Sequence, residues 1–378
     1  MKSAAGPVLL TAVITIFAWL LLRAESQGEI ALLIAIAVGA GIVALRTRLL
    51  APLARALDAH EALAEGLAVA AVAALALMLR EDDFALLLLV RVLIVTVACL
   101  GLNVQFGYAG VMNFAGASFF GVGGYTAAVL SRVAGLPDLI ILLAGGVTAA
   151  LCGTVLLLPI LRTRGHYAAL ITIAFALLFR TFLEVNDSLG GPQGLKLPEM
   201  VIGPFHFNEP VSIGGLEGSF YLRFLLVALV MLALAFALVR RLERSWVGVT
   251  LDTVRLDEIA AATFGLDIAR WKITAFTLGN FVTGVAGALS AFMIGFIAPN
   301  NYTFAESLIF VSILLLGGIG NPWGVALATA IVILLPEKLQ VIQEYRFLMF
   351  ATMVVLVLLF RPVGLVPRPL RRLIRPHA

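Results

Sequence analysis

Few residues of this chain stand where covalent chemistry could use them. His60, His166, His206 and His377 are scattered, with no HExxH and no paired carboxylates beside them, so a metal ion would find no ligand set. Cys99 and Cys152 lie inside apolar runs, at neither metal nor redox spacing, and read as small core hydrophobes. No glycine-rich phosphate loop ending in Gly-Lys-Ser or Gly-Lys-Thr is present, so any nucleotide that drives this protein is bound by another chain. The chain is therefore expected to bind no cofactor and no metal of its own. What remains is non-covalent recognition, concentrated in two stretches.

The first is 101–125, where seven glycines accompany Asn103, Gln105, Asn113 and Ser118. Glycine is costly in a helix unless a break or a close approach is needed. In hydrocarbon, broken backbone survives only where it is buried in protein or lines a wet cavity. Two readings stay open: amides lining a solute path near the midplane, or small-residue helix packing. Arg91 belongs with them, because a charge inside an apolar run must face a protein or aqueous interior. A structural pair for it and a place on the solute path are both open.

The second stretch is the polar interruption at 240–272. Asp252, Arg255, Asp257 and Glu258 precede Ala260, Ala261 and Ala262, and Gly265 follows where a left-handed cap costs least. The spacing predicts one short helix over 252–265. So small a helix cannot hold itself together in water and must be docked. An acidic first turn is repelled by anionic lipid, so docking on a soluble protein surface is expected instead.

The elements that must position these residues follow from composition. With 62% hydrophobic and 13% charged residues, the chain is far more apolar than a soluble core could bury. Span-length apolar runs fall at 6–22, 30–45, 62–79, 84–102, 105–130, 139–161, 167–183, 221–239, 273–297, 304–320, 323–335 and 345–360. The run at 6–22 lacks a small-residue cleavage site after it and reads as a first span, not a secretory signal. An all-α polytopic membrane protein of about 10–12 transmembrane helices is predicted, with the shortest broken or re-entrant. Gly317-Gly318-Ile319-Gly320-Asn321-Pro322 marks a tight turn between two short helices.

Basic residues cluster in alternate connections. They include Arg46, Arg48 and Arg55, then Arg162 and Arg164, six in 240–272, and Arg361, Arg368, Arg371, Arg372 and Arg375 in the tail. The intervening connections are acidic, with Glu81, Asp82 and Asp83 in one, and Glu184, Asp187, Glu199, Glu209 and Glu217 in the loop 184–220. By the positive-inside rule both termini and the 240–272 loop face the cytoplasm, and 184–220 lies outside. The net charge of +4 then reflects topology in a lipid bilayer, with no basic and aromatic interleaving to suggest nucleic acid.

The blocks GLNVQFGYAGVMNFAGASFFGVGGYTAA, LRTRGHYAALITIAF, GGPQGL, RLDEIAAATFGLDIARWKITAF, NNYTFAESLIF, LLLGGIGNPWG and FRPVGLVP run in order from about residue 84 to 367. This series resembles the permease subunit of branched-chain amino-acid (Liv-type) ABC importers. The resemblance implies a permease core over 84–367, with residues 1–83 similar to the extra amino-terminal spans of one permease type and 368–378 a basic tail. It implies a bacterial plasma (inner) membrane protein that translocates branched-chain or other hydrophobic amino acids and performs no covalent chemistry. Its implied partners are a second permease in a heterodimer, two cytoplasmic ATPases that use ATP and Mg, and an external solute-binding protein. Arg255, Asp257, Glu258, Ala260, Ala261 and Gly265 would then form the coupling helix seated on an ATPase. Gly190, Gly191, Gln193 and Gly194 would meet the external partner, and Arg91, Asn103, Gln105, Asn113 and Ser118 would line the solute path. Three departures leave the solute open between amino acids and urea or short amides: His166 where an acid is common, Gln193 where Asn is usual, and Asn113-Phe114-Ala115 in place of a Leu-Gly-His-like run. A self-sufficient secondary transporter would need an intramembrane carboxylate or ion site, and a membrane-embedded enzyme an acid-base or metal constellation at depth; neither is legible in the residues.

Overall fold

Backbone in hydrocarbon can satisfy its hydrogen bonds only within the protein, and helices form over all but one of the expected runs. The structure, a computed structural model, describes residues 5–24, 26–46, 61–133, 135–161, 167–213, 216–339, 345–360, 363–366 and 368. Lys2, Arg48, Arg55, His60, Arg162, Arg164, His166, Arg361, Arg371, Arg372, Arg375 and His377 lie outside the described residues.

In chain order the helices are α1 (Ala5–Arg23), α2 (Gln27–Arg46), α3 (Glu61–Met78), α4 (Asp83–Asn103), α5 (Gly116–Val133), α6 (Asp138–Leu161), α7 (Tyr167–Val185) and α8 (Tyr221–Arg244). They continue with α9 (Trp246–Leu256), α10 (Glu258–Thr263), α11 (Ile268–Ile294), α12 (Phe304–Gly317), α13 (Pro322–Lys338) and α14 (Arg346–Phe360). Among the described residues five stretches are long and apolar enough to cross a membrane: Asp83–Tyr108, Asp138–Leu161, Tyr167–Val185, Tyr221–Arg244 and Ile268–Ile294. This is the expected all-α polytopic bundle.

One run departs from expectation. The stretch 105–130 is not a continuous helix. A π-helical turn over Val104–Tyr108 extends α4, non-helical backbone follows through Ala115, and α5 starts only at Gly116. The glycines explain where the helix can stop and where it must pack. A Cβ on Gly123 would collide with the Gly284 carbonyl, and one on Gly101 with the Gly279 carbonyl, so α4, α5 and α11 touch backbone to backbone. Around this centre α11 also packs on α6, and α4 on α8 and α13.

α12 and α13 form the expected helical hairpin. Thr303 and Asn321 cap their starts, and the tip turns through Gly318 and Gly320, both at positive φ. The 184–220 connection is an ordered cap. Its strand β1 (Leu195–Lys196) pairs antiparallel with β6 (Phe296–Ile297), which directly follows α11. Two small hairpins, β2 (Val201–Ile202) with β3 (Phe205–His206) and β4 (Val211–Ile213) with β5 (Leu216–Gly218), complete it.

Candidate functional site

The break after α4 leaves backbone groups that other helices must satisfy. Phe114 N–H donates to Thr172 Oγ1 at 3.1 Å and Ala117 N–H to Ser307 Oγ at 3.1 Å, while Asn113 Oδ1 accepts from Ala115 N–H at 2.9 Å. Within the break, Asn113 Nδ2 donates to Gln105 Oε1 at 2.7 Å, and Gln105 Nε2 donates to Asn280 Oδ1 at 2.9 Å. Asn103 is not part of this chain of amides. Its Oδ1 accepts from Gly320 N–H at 2.8 Å and so binds the hairpin tip. Asn103, Gln105, Asn113 and Ser118 are all fully buried. Asn280, which completes the network, was not singled out by sequence reasoning; an amide beside Gly279 in the middle of an apolar run was the available signal.

At the same level the 240–272 segment closes on the break. The expectation of a single helix over 252–265 is corrected: Asp257 adopts extended backbone and caps a new helix, accepting from Ile259 N–H at 2.9 Å and Ala260 N–H at 3.0 Å. Asp252 and Arg255 therefore belong to α9, and Glu258 to Thr263 form α10. Gly265 does carry the left-handed backbone expected of it, with φ 77°.

A clasp of charges ties α9 to the break. Arg255 Nη1 donates to the Gly107 carbonyl at 2.7 Å, and Arg368 Nη1 reaches the same oxygen at 3.3 Å. Arg368 forks onto both oxygens of Asp252 at 2.8 Å each and lies 4.0 Å over the Tyr108 ring. Tyr108 Oη in turn donates to the Gly320 carbonyl at 3.3 Å. The chain just before Arg368 is fixed too, with Leu365 N–H on Leu316 O at 2.8 Å and Val366 N–H on Gly317 O at 3.0 Å. Sequence reasoning counted Arg368 only as a topology signal; nothing local marks its partner 116 residues away.

Ala261 is fully buried against the protein's own bundle and Ala260 is half-buried, whereas Ile259 and Phe264 are 80% and 83% exposed. Leu256 and Trp246, on α9, are exposed as well. Glu258 is paired with Lys272 at 2.6 Å. Ile259 and Phe264 thus leave apolar surface that the described residues do not cover.

At the opposite, acidic end, Gly190, Gly191 and Gly194 take positive φ and fold the turn that leads into β1. A Cβ on Gly194 would collide with the Ile297 carbonyl, so the glycines serve close approach, and of this group only Gln193 is exposed. Arg180 bonds Glu184 at 2.8 Å and Asn300 at 3.1 Å.

Arg91 stands apart from the amides. It lines a cleft of about 520 Å³ between α4, α11, α12, α13 and the 299–302 turn, and its Nη1 meets Glu337 Oε1 at 2.5 Å. None of Asn103, Gln105, Asn113 or Ser118 lines this cleft. Tyr302 closes one side, and burial holds its hydroxyl above the ordinary range, so it stays neutral. Among the described residues no group of three or more His, Cys, Asp or Glu stands together to hold a metal.

Comparison with known proteins places residues 84–359 within the family model described as the permease component of branched-chain amino acid transport systems. The high-affinity branched-chain amino acid transport system permease protein LivM of Escherichia coli (strain K12) is 35% identical over 71% of this chain and 66% of its own length. Its counterpart from Salmonella typhimurium is 34% identical over the same shares. A probable branched-chain amino acid transport permease protein LivM of Methanocaldococcus jannaschii is 24% identical over 72% of this chain and 90% of its own. The chain thus spans just under two thirds of the length of the two enterobacterial relatives. No solved structure matches it.

Proposed function

The chain belongs to the family of permease components of branched-chain amino acid transport systems, and from that premise we propose that it is the membrane-spanning subunit of an ATP-driven importer for branched-chain or other hydrophobic amino acids. The observation that carries this reading is the clasp beneath an exposed apolar face. Ile259 and Phe264 offer a partner a surface, and Arg255 and Arg368 connect that surface's base to the Gly107 carbonyl inside a broken helix. A push on α9 and α10 would be felt at the break, with little slack between.

In this reading the partner on that face is an ATPase that uses ATP and Mg, one of two, and closure of the pair shifts the clasp between two arrangements. A second permease forms the other half of the pathway, and an external solute-binding protein delivers solute at the acidic end, where Gln193 is exposed. The chain lies in a bacterial plasma membrane with both termini and the 240–272 loop in the cytoplasm, as the distribution of basic residues supports. In this reading Arg91, which lines the cleft, lies on the solute path. Full enclosure supports packing for all three amides: Gln105 and Asn113 bond each other across the break, and Asn103 bonds the hairpin tip at Gly320. The test is reconstitution with the neighbouring subunits in vesicles. Phe264→Asp should leave the chain inserted and assembled while ATP-dependent leucine uptake falls and hydrolysis loses its link to transport. Leucine uptake that persists without any ATPase, or normal uptake by Phe264→Asp, would refute the reading.

A further inference from the structure

We propose that the cleft walled by Arg91 and Glu337 holds the transported solute as a zwitterion, its carboxylate on the guanidinium of Arg91 and its ammonium on the carboxylate of Glu337. This rests on the importer reading and adds where the solute sits and which of its charges are read. Arg91 lies eight residues into α4 from Asp83, about 12 Å along the helix at 1.5 Å per residue. An ion pair at that depth costs desolvation that an apolar pair would not, so its presence needs a reason.

The pair is open on one side. The side chains of Arg91 and Glu337 are 42% and 25% exposed, and both line the cleft. Arg91 carries five N–H donors and Glu337 two oxygens, and among the described residues each has the other as its one polar partner. Donors on the guanidinium and an oxygen on the carboxylate are thus left for a ligand that brings one anion and one cation. Pro336, also in the lining, withholds the helix hydrogen bond that the Val332 carbonyl would accept one turn below Glu337.

The rest of the cleft selects for an apolar body. Phe120 packs edge-on to Phe310 at 5.7 Å and against Tyr302 at 6.4 Å, and Ile94 and Val332 continue the wall. Of the other polar groups nearby, Lys338 turns its ammonium to the carbonyls of Leu22 and Ala24 and Asn300 accepts from Arg180, while Glu306 lines the cleft as well and has contacts of its own. The cleft's size falls within the ordinary range of small-molecule sites. The facing charges of Arg91 and Glu337 against aromatic walls fit a neutral amino acid with a hydrocarbon side chain. An analogue lacking either charge would leave the spare donors of Arg91 or the second oxygen of Glu337 without a partner.

The experiment uses the assembled complex in lipid nanodiscs, without the external binding protein, and reads the ligand-induced rise in melting temperature. L-Leucine at millimolar concentration should raise it, while 4-methylpentanoate and isoamylamine, each missing one charge, should not. Arg91→Gln and Glu337→Gln should each lose the leucine response and lower leucine uptake per assembled complex by roughly tenfold or more. The exchange of Arg91→Glu with Glu337→Arg keeps a bridge across the cleft and guards against simple misfolding. Exchanging carboxylate and ammonium while the side chain stays in place describes the mirror-image amino acid, so this variant should shift preference from L-leucine toward D-leucine. Unchanged leucine responses in both single variants, or equal responses to all three ligands, would overturn the site. Loss of co-purifying phosphatidylethanolamine from Arg91→Gln with the leucine response intact would assign the cleft to a lipid headgroup and overturn it likewise. A wild-type complex that takes up leucine without any leucine response removes this site alone; one that takes up no neutral amino acid removes the importer reading with it.

Discussion

Replacing Arg368 by alanine tests the clasp directly. The change deletes a forked bond to Asp252 with both distances at 2.8 Å, a cation stacked 4.0 Å over Tyr108 and a reach to the Gly107 carbonyl at 3.3 Å. Exposed ion pairs contribute about 0–1 kcal/mol, whereas removing one member of a buried pair costs about 3–5 kcal/mol. The side chains are 8% and 21% exposed, so Arg368 is nearly enclosed while Asp252 can relax toward water. A loss of about 2–3 kcal/mol is therefore expected, between those two limits. Arg368→Lys keeps the charge but loses the fork and the flat stack, and should cost about half as much. Graded SDS unfolding of the complex in mixed micelles gives the energies. A cycle with Asp252→Asn should show about 2 kcal/mol of coupling, because the two residues share one interaction. If the clasp transmits motion, leucine moved per ATP should fall as well, and 2 kcal/mol corresponds to about thirtyfold. A coupling energy within about 0.5 kcal/mol of zero, or a normal ratio of leucine to ATP in Arg368→Ala, would refute the argument.

Asn113→Leu removes the donor to Gln105 Oε1 and the acceptor of Ala115 N–H inside a fully enclosed network, so a loss of about 1–3 kcal/mol in stability is expected. Complex yield should drop while uptake per assembled complex stays near normal, and a selective loss of uptake at normal yield would return Asn113 to the solute path. For topology, with Cys99 and Cys152 replaced, a cysteine at Gln193 should react with an impermeant reagent from outside and one at Phe264 only after the membrane is opened. The reverse pattern would overturn the orientation and the ATPase contact together.

Hydropathy located all but one of the long apolar helices, because a span must be apolar over its own length and must close its own hydrogen bonds. The glycines of 101–125 likewise announced an interruption, and the Gly317 to Pro322 run a hairpin, since both are local backbone requirements. Gly265 was legible for the same reason. The sequence did not show that Asp257 would split the 252–265 helix in two, because an aspartate serves equally within a first turn or as its cap, and packing on the bundle decides between them. Nor could it show that Ala261 faces inward while Ile259 and Phe264 face out: in six helical residues, hydrophobicity does not reveal which side meets the chain's own helices. The partners of the lone charges were the least legible of all. Arg91 finds Glu337 across 246 residues, Arg368 finds Asp252 across 116, and Gln105 finds Asn280 across 175. For Arg91 and Gln105 the residue type told that a protein or aqueous surrounding must exist, because a charge or amide in low dielectric is expensive without one, whereas Arg368 carried no such signal. Which partner each took depended on how the helices came together in space, and that was fixed by tertiary packing rather than by any spacing along the chain.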